Sequence, residues 1–285
     1  MADNIFDRIM EGYQTFTKSE VKVADYLLAH KSEVQYMTIS ELAKECQVAE
    51  ATLTRFGRAL QCKGFNDLKL AIAQSYVPDS SESAFTYYGE VLPEDTIEQK
   101  CQKLYSRNVE TLKQTLDLID PNAIEKAVDL FNKASSIYCF GQGNSNIIAM
   151  EAWGRFSLVT PLFHWVADSH MQAVSASLLK PNDVILYFSY SGATRACMEI
   201  VDLVKEHHLK LVLVTRFPNA PAAKHADVVI ICGSNESPLQ QGSITAKLAQ
   251  LFIIDILFNE YCSKNLDMAV GNRKKTSDAI SSKLL

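Results

Sequence analysis

The second half of the sequence alternates short apolar runs with longer segments of helical pattern, and this alternation limits the fold more than any other feature. The runs are rich in β-branched and aromatic residues, and they are SIYCF (136–140), LFHWV (162–166), DVILYFS (183–189), LKLVLVT (209–215) and DVVII (227–231). Apolar strands separated by helices form parallel sheets, because the helices cover both faces. The sequence therefore predicts an α/β domain with a five-stranded parallel sheet and helices on both faces.

Residues 1–77 show helical periodicity without strand-like runs. A hydroxyl at Thr38 followed by a carboxylate at Glu41 is a capping box, which predicts a short helix starting there. A second helix is predicted over about 49–60 and a third in NDLKLAIAQSY, after a turn at Lys63-Gly64-Phe65. The N-terminal domain is therefore predicted to be all-helical.

The stretch SELAKECQVAEATLTRFGRAL has the spacing of a helix–turn–helix. Ala43 is predicted to pack inside, and Val48 and Leu53 to hold the two helices across the turn. The second helix is then expected to present polar and basic side chains to the major groove of DNA. The candidate DNA-binding residues are Thr52, Thr54, Arg55, Arg58 and Lys63.

The charge balance supports a local nucleic-acid surface only. A formal net charge of −5 argues against DNA binding over the whole surface. Between residues 51 and 75, however, four cations (Arg55, Arg58, Lys63 and Lys69) face the single acid Asp67. Such cations would neutralise phosphates and make binding salt-dependent.

An ordinary three-helix packing unit remains open as the alternative, because helix–turn–helix patterns give frequent false positives. Two residues depart from the pattern. The turn favours glycine at position 47, and Gln47 there costs about 1 kcal/mol. Ala49 replaces the usual serine N-cap at a similar cost of about 1 kcal/mol.

The chain of 285 residues is long enough for two domains. We predict domain boundaries at 1–77, a linker at 78–94 that includes PDSSES, connecting helices at 95–133, and the α/β domain at 134–266. The connecting helices are expected to carry Leu112, Leu116 and Ile119 on one face. Ser243 to Cys262 is expected to be the final helix, and the polar residues 272–285 a loose helix or disordered.

Several classes of protein are excluded by composition. Seven cysteines without a C-x-x-C pair fit neither a disulfide framework nor a zinc knuckle, and they favour a reducing cytoplasm. No apolar run approaches the roughly 20 residues of a membrane span, and the charged start of the chain is unlike a signal peptide. Neither a metal nor a cofactor is expected.

Glycines and hydroxyls stand together where two predicted strands become helices. Gly141 and Gly143 with Ser145 follow the first strand, and Ser189-Tyr190-Ser191-Gly192-Ala193-Thr194 follows the third. Helix N-termini bind anions through unpaired N–H groups and the helix dipole, so these turns predict a phosphate pocket. A dinucleotide fingerprint fails at Asn146, and no P-loop is present. Glycine turns and serine caps that serve stability alone remain the alternative.

These motifs resemble the sugar isomerase (SIS) domain over about residues 125–265. By that resemblance the phosphate is held by Ser189, Ser191 and Thr194, and the phosphate or sugar by Gly143 and Ser145. His170 in ADSHMQ is implied to reach the sugar, Glu236 to supply an acidic group, and Lys247 to approach the ligand. Each has a plainer alternative: His170 as a helix cap, Glu236 as a solvated carboxylate and Lys247 as a surface lysine.

A helix–turn–helix domain joined to an SIS domain resembles the RpiR family of bacterial transcription regulators. The resemblance implies a homodimeric repressor of a carbohydrate operon that binds operator DNA and a sugar-phosphate effector, such as N-acetylmannosamine-6-phosphate. Two alternatives stay open. One is an aldose–ketose isomerase that uses Glu236 and His170 for proton transfer; the other is a sugar-phosphate-binding module whose helices contact protein.

Overall fold

The computed structural model describes residues 4–31, 33–75, 91–233 and 244–281, and its elements are numbered here within those ranges. The described chain separates into two compact units. One comprises the described residues up to Asn108, and the other comprises 109–233 with 244–281. Residues 78–90 of the predicted linker and Glu236 lie outside the described residues.

The first unit is built from helices around one apolar core. The five helices of residues 4–75 are α1 (Ile5–Gly12), α2 (Lys18–Ala29), α3 (Ile39–Glu45), α4 (Glu50–Ala59) and α5 (Phe65–Ser75). Each places at least one fully buried side chain in the shared core, among them Ile9, Leu27, Leu42, Phe56 and Leu68. The all-helical prediction is confirmed for the described part of residues 1–77.

The capping box at the start of α3 forms as the sequence predicts. The Glu41 amide donates to the Thr38 hydroxyl at 3.2 Å, and the Thr38 amide donates to a Glu41 carboxylate oxygen at 2.9 Å. These two bonds satisfy backbone donors that the first turn of a helix leaves unpaired. The start of the helix–turn–helix is therefore fixed by local chemistry.

The turn between α3 and α4 carries both departures that the sequence shows. Gln47 has a φ of 53°, the left-handed conformation that favours glycine. Ala49 is the N-cap of α4 and supplies no side-chain hydrogen bond. The turn is held instead by the burial of Leu53 in the core and by a local backbone hydrogen bond, in which the Val48 amide donates to the Ala43 carbonyl at 2.9 Å.

The second unit contains a five-stranded sheet in which every strand pair is parallel, in the order β2-β1-β3-β4-β5. The strands are β1 (Ile137–Gly141), β2 (Phe163–Trp165), β3 (Val184–Phe188), β4 (Lys210–Thr215) and β5 (Val228–Ile231). The remaining helices are α6 (Ile97–Leu118), which begins in the first unit, α7 (Pro121–Lys133), α8 (Asn144–Phe156), α9 (Ser169–Ala176), α10 (Arg195–Glu206), α11 (Ile244–Lys264) and α12 (Leu266–Ser281). All five predicted strands are confirmed.

Helices cover both faces of the sheet, as predicted. Successive residues of a strand point to opposite faces. Leu186 and Phe188 of β3 pack with the apolar sides of α7, α8 and α11, whereas Ile185 and Tyr187 pack with α9 and α10. The central strand is buried on both sides, which explains why its sequence is continuously apolar.

The C-terminal end differs from the prediction. The apolar helix α11 is not the last helix, because α12 follows it. Helix α12 includes residues 272–281 of the polar segment, for which we expect a loose helix or disorder. Polar contacts hold α12: the Asn272 amide group donates to the Val159 carbonyl at 2.8 Å and the Thr276 hydroxyl to the Leu158 carbonyl at 3.0 Å. Such contacts leave no apolar periodicity in the sequence. No helix among the described residues is long and apolar enough to cross a membrane.

Replacing Gln47 by glycine should stabilise the first unit by about 1 kcal/mol, because the left-handed conformation of Gln47 is costly for a residue with a Cβ. Thermal or urea unfolding of the full chain measures the change. The matched control is Gln102→Gly, since Gln102 is exposed inside α6 and glycine there should destabilise by about 1 kcal/mol. A destabilised Gln47→Gly variant would contradict the expectation.

Candidate functional site

The candidate ligand site lies where the strand order of the sheet reverses. β1 pairs with β2 on one side and with β3 on the other, and Gly141 stands in register with Phe188. The connections after β1 and β3 therefore leave the same edge of the sheet, next to each other. In open parallel sheets, ligands bind in the crevice at such a switch point.

The turn after β1 brings the start of α8 close to the strand. A Cβ on Gly141 would lie 2.6 Å from the Ser145 carbonyl oxygen, so only glycine permits this approach. Gly143 is the N-cap of α8, with a φ of 54°, and provides no side-chain cap. A Cβ at Gly143 would meet nothing within 4 Å. The N-terminus of α8 is therefore open, as an anion site requires.

The turn after β3 engages its three hydroxyl groups in the same way. The Ser189 hydroxyl oxygen accepts from the Gly192 amide at 3.1 Å, that of Ser191 from the Ala193 amide at 3.3 Å, and that of Thr194 from the Cys197 amide at 3.3 Å. A hydroxyl that accepts one hydrogen bond still carries its own hydrogen as a donor. The turn thus gathers three hydroxyl groups at the N-terminus of α10, and that of Ser189 also hydrogen-bonds to the Cys197 thiol.

Gly192 fixes this turn against the end of β4. Its φ is 56°, and a Cβ would lie only 2.6 Å from the Cβ of Ala220. The Gly192 carbonyl accepts from the Ala222 amide at 3.0 Å, and the Thr215 hydroxyl donates to the Tyr190 carbonyl at 3.0 Å. The turn therefore packs against the segment that follows β4, and a residue larger than glycine at position 192 would disrupt this packing.

A neutral thiol lies beside Ser189. Burial raises the pKa of Cys197 to about 11, although a hydrogen bond with the Ser189 hydroxyl acts in the opposite direction. Cys197 therefore stays uncharged near neutral pH and adds no negative charge next to the candidate phosphate position. The buried thiol has a packing role on the α10 side of the sheet.

The three more distant candidates are placed differently. His170 follows β2 in the first turn of α9, at the same edge of the sheet, and its side chain is 94% exposed. It does not cap the helix, because the Asp168 carboxylate does so by accepting from the Met171 amide at 3.0 Å. Lys247 is half-buried in the first turns of α11. Glu236 lies outside the described residues.

Sequence reasoning missed three residues that surround the turn between β1 and α8, namely Asn146, Trp165 and Gln172. Gln172 is fully buried in α9, and its amide group donates to the carbonyls of Gly141 and Val166. Asn146 accepts from the Trp165 indole at 2.9 Å. The only available signal was the polar Gln172 at a helix position one turn after its N-cap, which a sequence alone cannot distinguish from a surface glutamine.

The candidate DNA-binding residues of α4 fall into two groups. Arg55, Arg58 and Lys63 are exposed and Thr54 is half-buried, so these four are open to a partner. The expectation that Thr52 faces outward is wrong, because Thr52 is only 6% exposed. It shares the inward side of α4 with Leu53 and Phe56 and would have to move to touch a base.

Lys69 is also less available than its charge suggests. It is half-buried on α5, and burial lowers the pKa of its ammonium group to about 8, an effect that Glu41 partly opposes. Its side chain lies over the ring of Phe65. The exposed cations of this region are therefore Arg55, Arg58 and Lys63.

Two family models match the chain. The helix–turn–helix domain of the rpiR family matches residues 3–79, and the SIS domain matches residues 130–260. An HTH-type transcriptional regulator of Haemophilus influenzae is 30% identical over 97% of this chain and 96% of its own length. Another, from Caldanaerobacter subterraneus, is 31% identical over 96% of this chain and 95% of its own length.

Solved structures show the same fold. The NanR protein of Vibrio vulnificus, solved in complex with ManNAc-6P, matches with a TM-score of 0.87 at 24% identity and covers 99% of both chains. The order of domains is therefore a helical helix–turn–helix domain followed by an α/β SIS domain. This is the fold that the sequence predicts.

Replacing Gly192 by alanine should destabilise the second unit by about 2–3 kcal/mol, because the new Cβ would combine a strained φ with a contact of 2.6 Å. The matched control is Gly154→Ala: Gly154 lies inside α8 with open space around it, so alanine should stabilise by up to about 1 kcal/mol. Chemical unfolding of both variants measures the difference. Equal effects of the two variants would refute the account of the β3–α10 turn.

Proposed function

The chain belongs to the RpiR family of helix–turn–helix transcriptional regulators, and we propose that it represses a carbohydrate catabolic operon under the control of a phosphorylated sugar. The observation that carries the proposal is the pair of adjacent turns at the carboxyl ends of β1 and β3. One presents an uncapped helix N-terminus, and the other presents three hydroxyl donors. A tetrahedral phosphate accepts hydrogen bonds from both kinds of group.

The proposed residue roles follow from these positions. Ser189, Ser191 and Thr194 donate to the phosphate, and Gly143 and Ser145 let it or the sugar approach the start of α8. His170 lies at the same sheet edge with its side chain free to meet the sugar. Lys247 and Glu236 are proposed to complete the ligand contacts.

We propose an amino-sugar phosphate as the effector, with N-acetylmannosamine-6-phosphate as the first candidate. The similarity to NanR, whose structure contains that ligand, supports the choice. At 24% identity the likeness is one of fold, so the sugar must be identified by experiment.

The proposed DNA surface is the exposed side of α4 and the turn that follows it. Arg55 and Arg58 extend from α4, and Lys63 lies just after it, with no acid among the α4 residues after Glu50. The Lys63 amide donates to Asp67 at 2.8 Å, which uses the one acid of the region for the backbone. Thr54 is proposed to touch bases and Thr52 to contribute after a small rearrangement.

We propose that the regulator works as a homodimer. Paired recognition helices read half-sites about 34 Å apart. The large apolar side chains that α6 leaves exposed are a candidate interface, and they are Ile97, Leu104, Tyr105, Val109, Leu112, Leu116 and Leu118. A ligand that binds two arrangements of the dimer with different affinity would change operator binding.

The proposal includes no catalytic activity. An isomerase needs a base held against the sugar carbons. Among the described candidates, His170 is exposed and its one ionic neighbour is Asp168, 3.8 Å away. The absence of turnover with sugar phosphates by the purified protein, followed by product analysis, is the expected result.

A panel of phosphorylated and unphosphorylated sugars should identify the effector by thermal shift. A ligand at 100 times its dissociation constant adds about 2.7 kcal/mol to the folded state. We expect one amino-sugar phosphate to raise the melting temperature and its unphosphorylated sugar to leave it unchanged. The Ser189→Ala, Ser191→Ala double variant should lose the response, because it lacks two phosphate donors.

The control for the panel is the Ser157→Ala, Ser177→Ala double variant. Both hydroxyls donate to a carbonyl of their own helix near its C-terminal end, so the same chemical change is made away from the candidate site. This variant should respond like the native chain. A response that persists without Ser189 and Ser191 hydroxyls would refute the phosphate site.

Arg55→Ala with Arg58→Ala should weaken DNA binding and its dependence on salt. Binding constants fall with salt, and each lost phosphate contact reduces the steepness of log K against log salt by about 0.9. The double variant should therefore reduce it by about 1.8. Fluorescence anisotropy with a duplex obtained by in vitro selection measures both quantities. Lys274→Ala with Lys275→Ala removes the same charge from the exposed side of α12 and should change neither. Unaltered binding of the arginine variant would overturn the DNA surface.

A further inference from the structure

Gln172 is a buried polar side chain that the proposed phosphate contacts leave unexplained. It is fully buried, and its amide nitrogen lies 3.0 Å from the carbonyl oxygen of Gly141 and 2.9 Å from that of Val166. Gly141 ends β1, and Val166 directly follows β2. One side chain from α9 therefore bonds to the ends of two neighbouring strands.

The orientation of this amide is determined by its neighbours. Both carbonyls accept hydrogen bonds only, so the nitrogen of Gln172 and not the oxygen must face them. The oxygen is then buried without a hydrogen-bond partner among the described residues. A buried acceptor without a partner is unfavourable. An apolar side chain would fill this space without that cost, so the two bonds to strand ends are the reason for a glutamine here.

Asn146 and Trp165 extend the same network. The Trp165 indole donates to the Asn146 side-chain oxygen at 2.9 Å, and the Asn146 side-chain nitrogen donates to the Ala167 carbonyl at 2.6 Å. The Gln172 amide also approaches the Asn146 oxygen at 3.4 Å. The three side chains, named here the strand-end clamp, connect α8, α9 and the ends of β1 and β2.

The clamp joins the two helix starts that carry the proposed sugar contacts. Asn146 is the residue after Ser145 in α8, and Gln172 is two residues after His170 in α9. None of the clamp residues belongs to the β3–α10 turn, which holds the three phosphate donors. We propose that Asn146, Trp165 and Gln172 are positioning residues that set the separation between Ser145 and His170, and thereby which sugar the site accepts.

This inference rests on the proposed sugar-phosphate function. It adds a separate prediction about which sugars bind. If the clamp sets the sugar-facing side alone, loosening it should change discrimination between sugars and leave the phosphate contribution in place. If the clamp served only general stability, loosening it would weaken the binding of all ligands to the same extent. The ratio of affinities therefore separates the two roles.

The experiment uses the full chain and isothermal titration calorimetry with three probes: N-acetylmannosamine-6-phosphate, glucose-6-phosphate and inorganic phosphate. Gln172→Met keeps length and volume but removes the donors, and Trp165→Phe removes one N–H from the network. We expect the affinity ratio of the two sugar phosphates to change about tenfold in Gln172→Met, as the loss of hydrogen bonds worth about 1.4 kcal/mol implies. Affinity for inorganic phosphate should stay within about twofold of the native value.

Gln114→Met is the matched control, because Gln114 lies on α6 and its side-chain nitrogen donates to the Glu110 carboxylate at 3.1 Å, away from the clamp. Its affinity ratio should equal that of the native chain. Should Gln172→Met fail to fold, Trp165→Phe carries the test with a smaller change in the same direction.

Intrinsic fluorescence gives a second reading, because the chain has only two tryptophans. Trp153→Phe leaves Trp165 as the reporter, and its indole N–H belongs to the clamp. Addition of N-acetylmannosamine-6-phosphate should change its emission, and Gln172→Met should reduce that change.

The outcomes are distinguishable. If the native chain binds neither sugar phosphate, the proposed function fails and the clamp inference with it. If the native chain binds and Gln172→Met keeps the native ratio, or weakens all three probes equally, the proposed function stands and the clamp inference is wrong.

Discussion

Parallel pairing of β1 with β3 is the constraint on which the candidate ligand site depends. Because the strand order reverses there, the helices that follow these strands leave on opposite faces of the sheet. Their N-termini then diverge from one crevice at the carboxyl ends of the two strands. Two short turns, far apart in sequence, come together at one edge of the sheet only through that pairing.

In the hydroxyl groups of the β3–α10 turn, the oxygen atoms bond to the backbone, and the hydrogen atoms are the proposed donors to the ligand. Their oxygens accept from backbone amides, and Thr194 thereby caps α10. This engagement does not argue against a phosphate site. It fixes the rotamers in advance, so that a ligand meets oriented donors and less freedom is lost on binding.

Much of this architecture can be predicted from local sequence patterns. The five strands and the capping box of α3 follow from apolar runs and from one Thr-to-Glu spacing. Thr52 was also readable, since positions 52, 53, 56, 57 and 60 form one inward side of α4 at helical spacing. The polar attachment of α12 and the role of Gln172 were not readable, because each depends on carbonyls that only the folded chain brings near.

The two glycines with positive φ differ in whether packing within the protein excludes a side chain at their position. At Gly192 a side chain would collide with Ala220, so packing within the protein already accounts for the glycine. At Gly143 a Cβ would meet nothing within 4 Å, so the positive φ alone accounts for the glycine. A glycine that no neighbouring side chain requires suits a place where a ligand has to approach the backbone. Gly143, more than Gly192, therefore fits the proposed approach of an anion to the backbone.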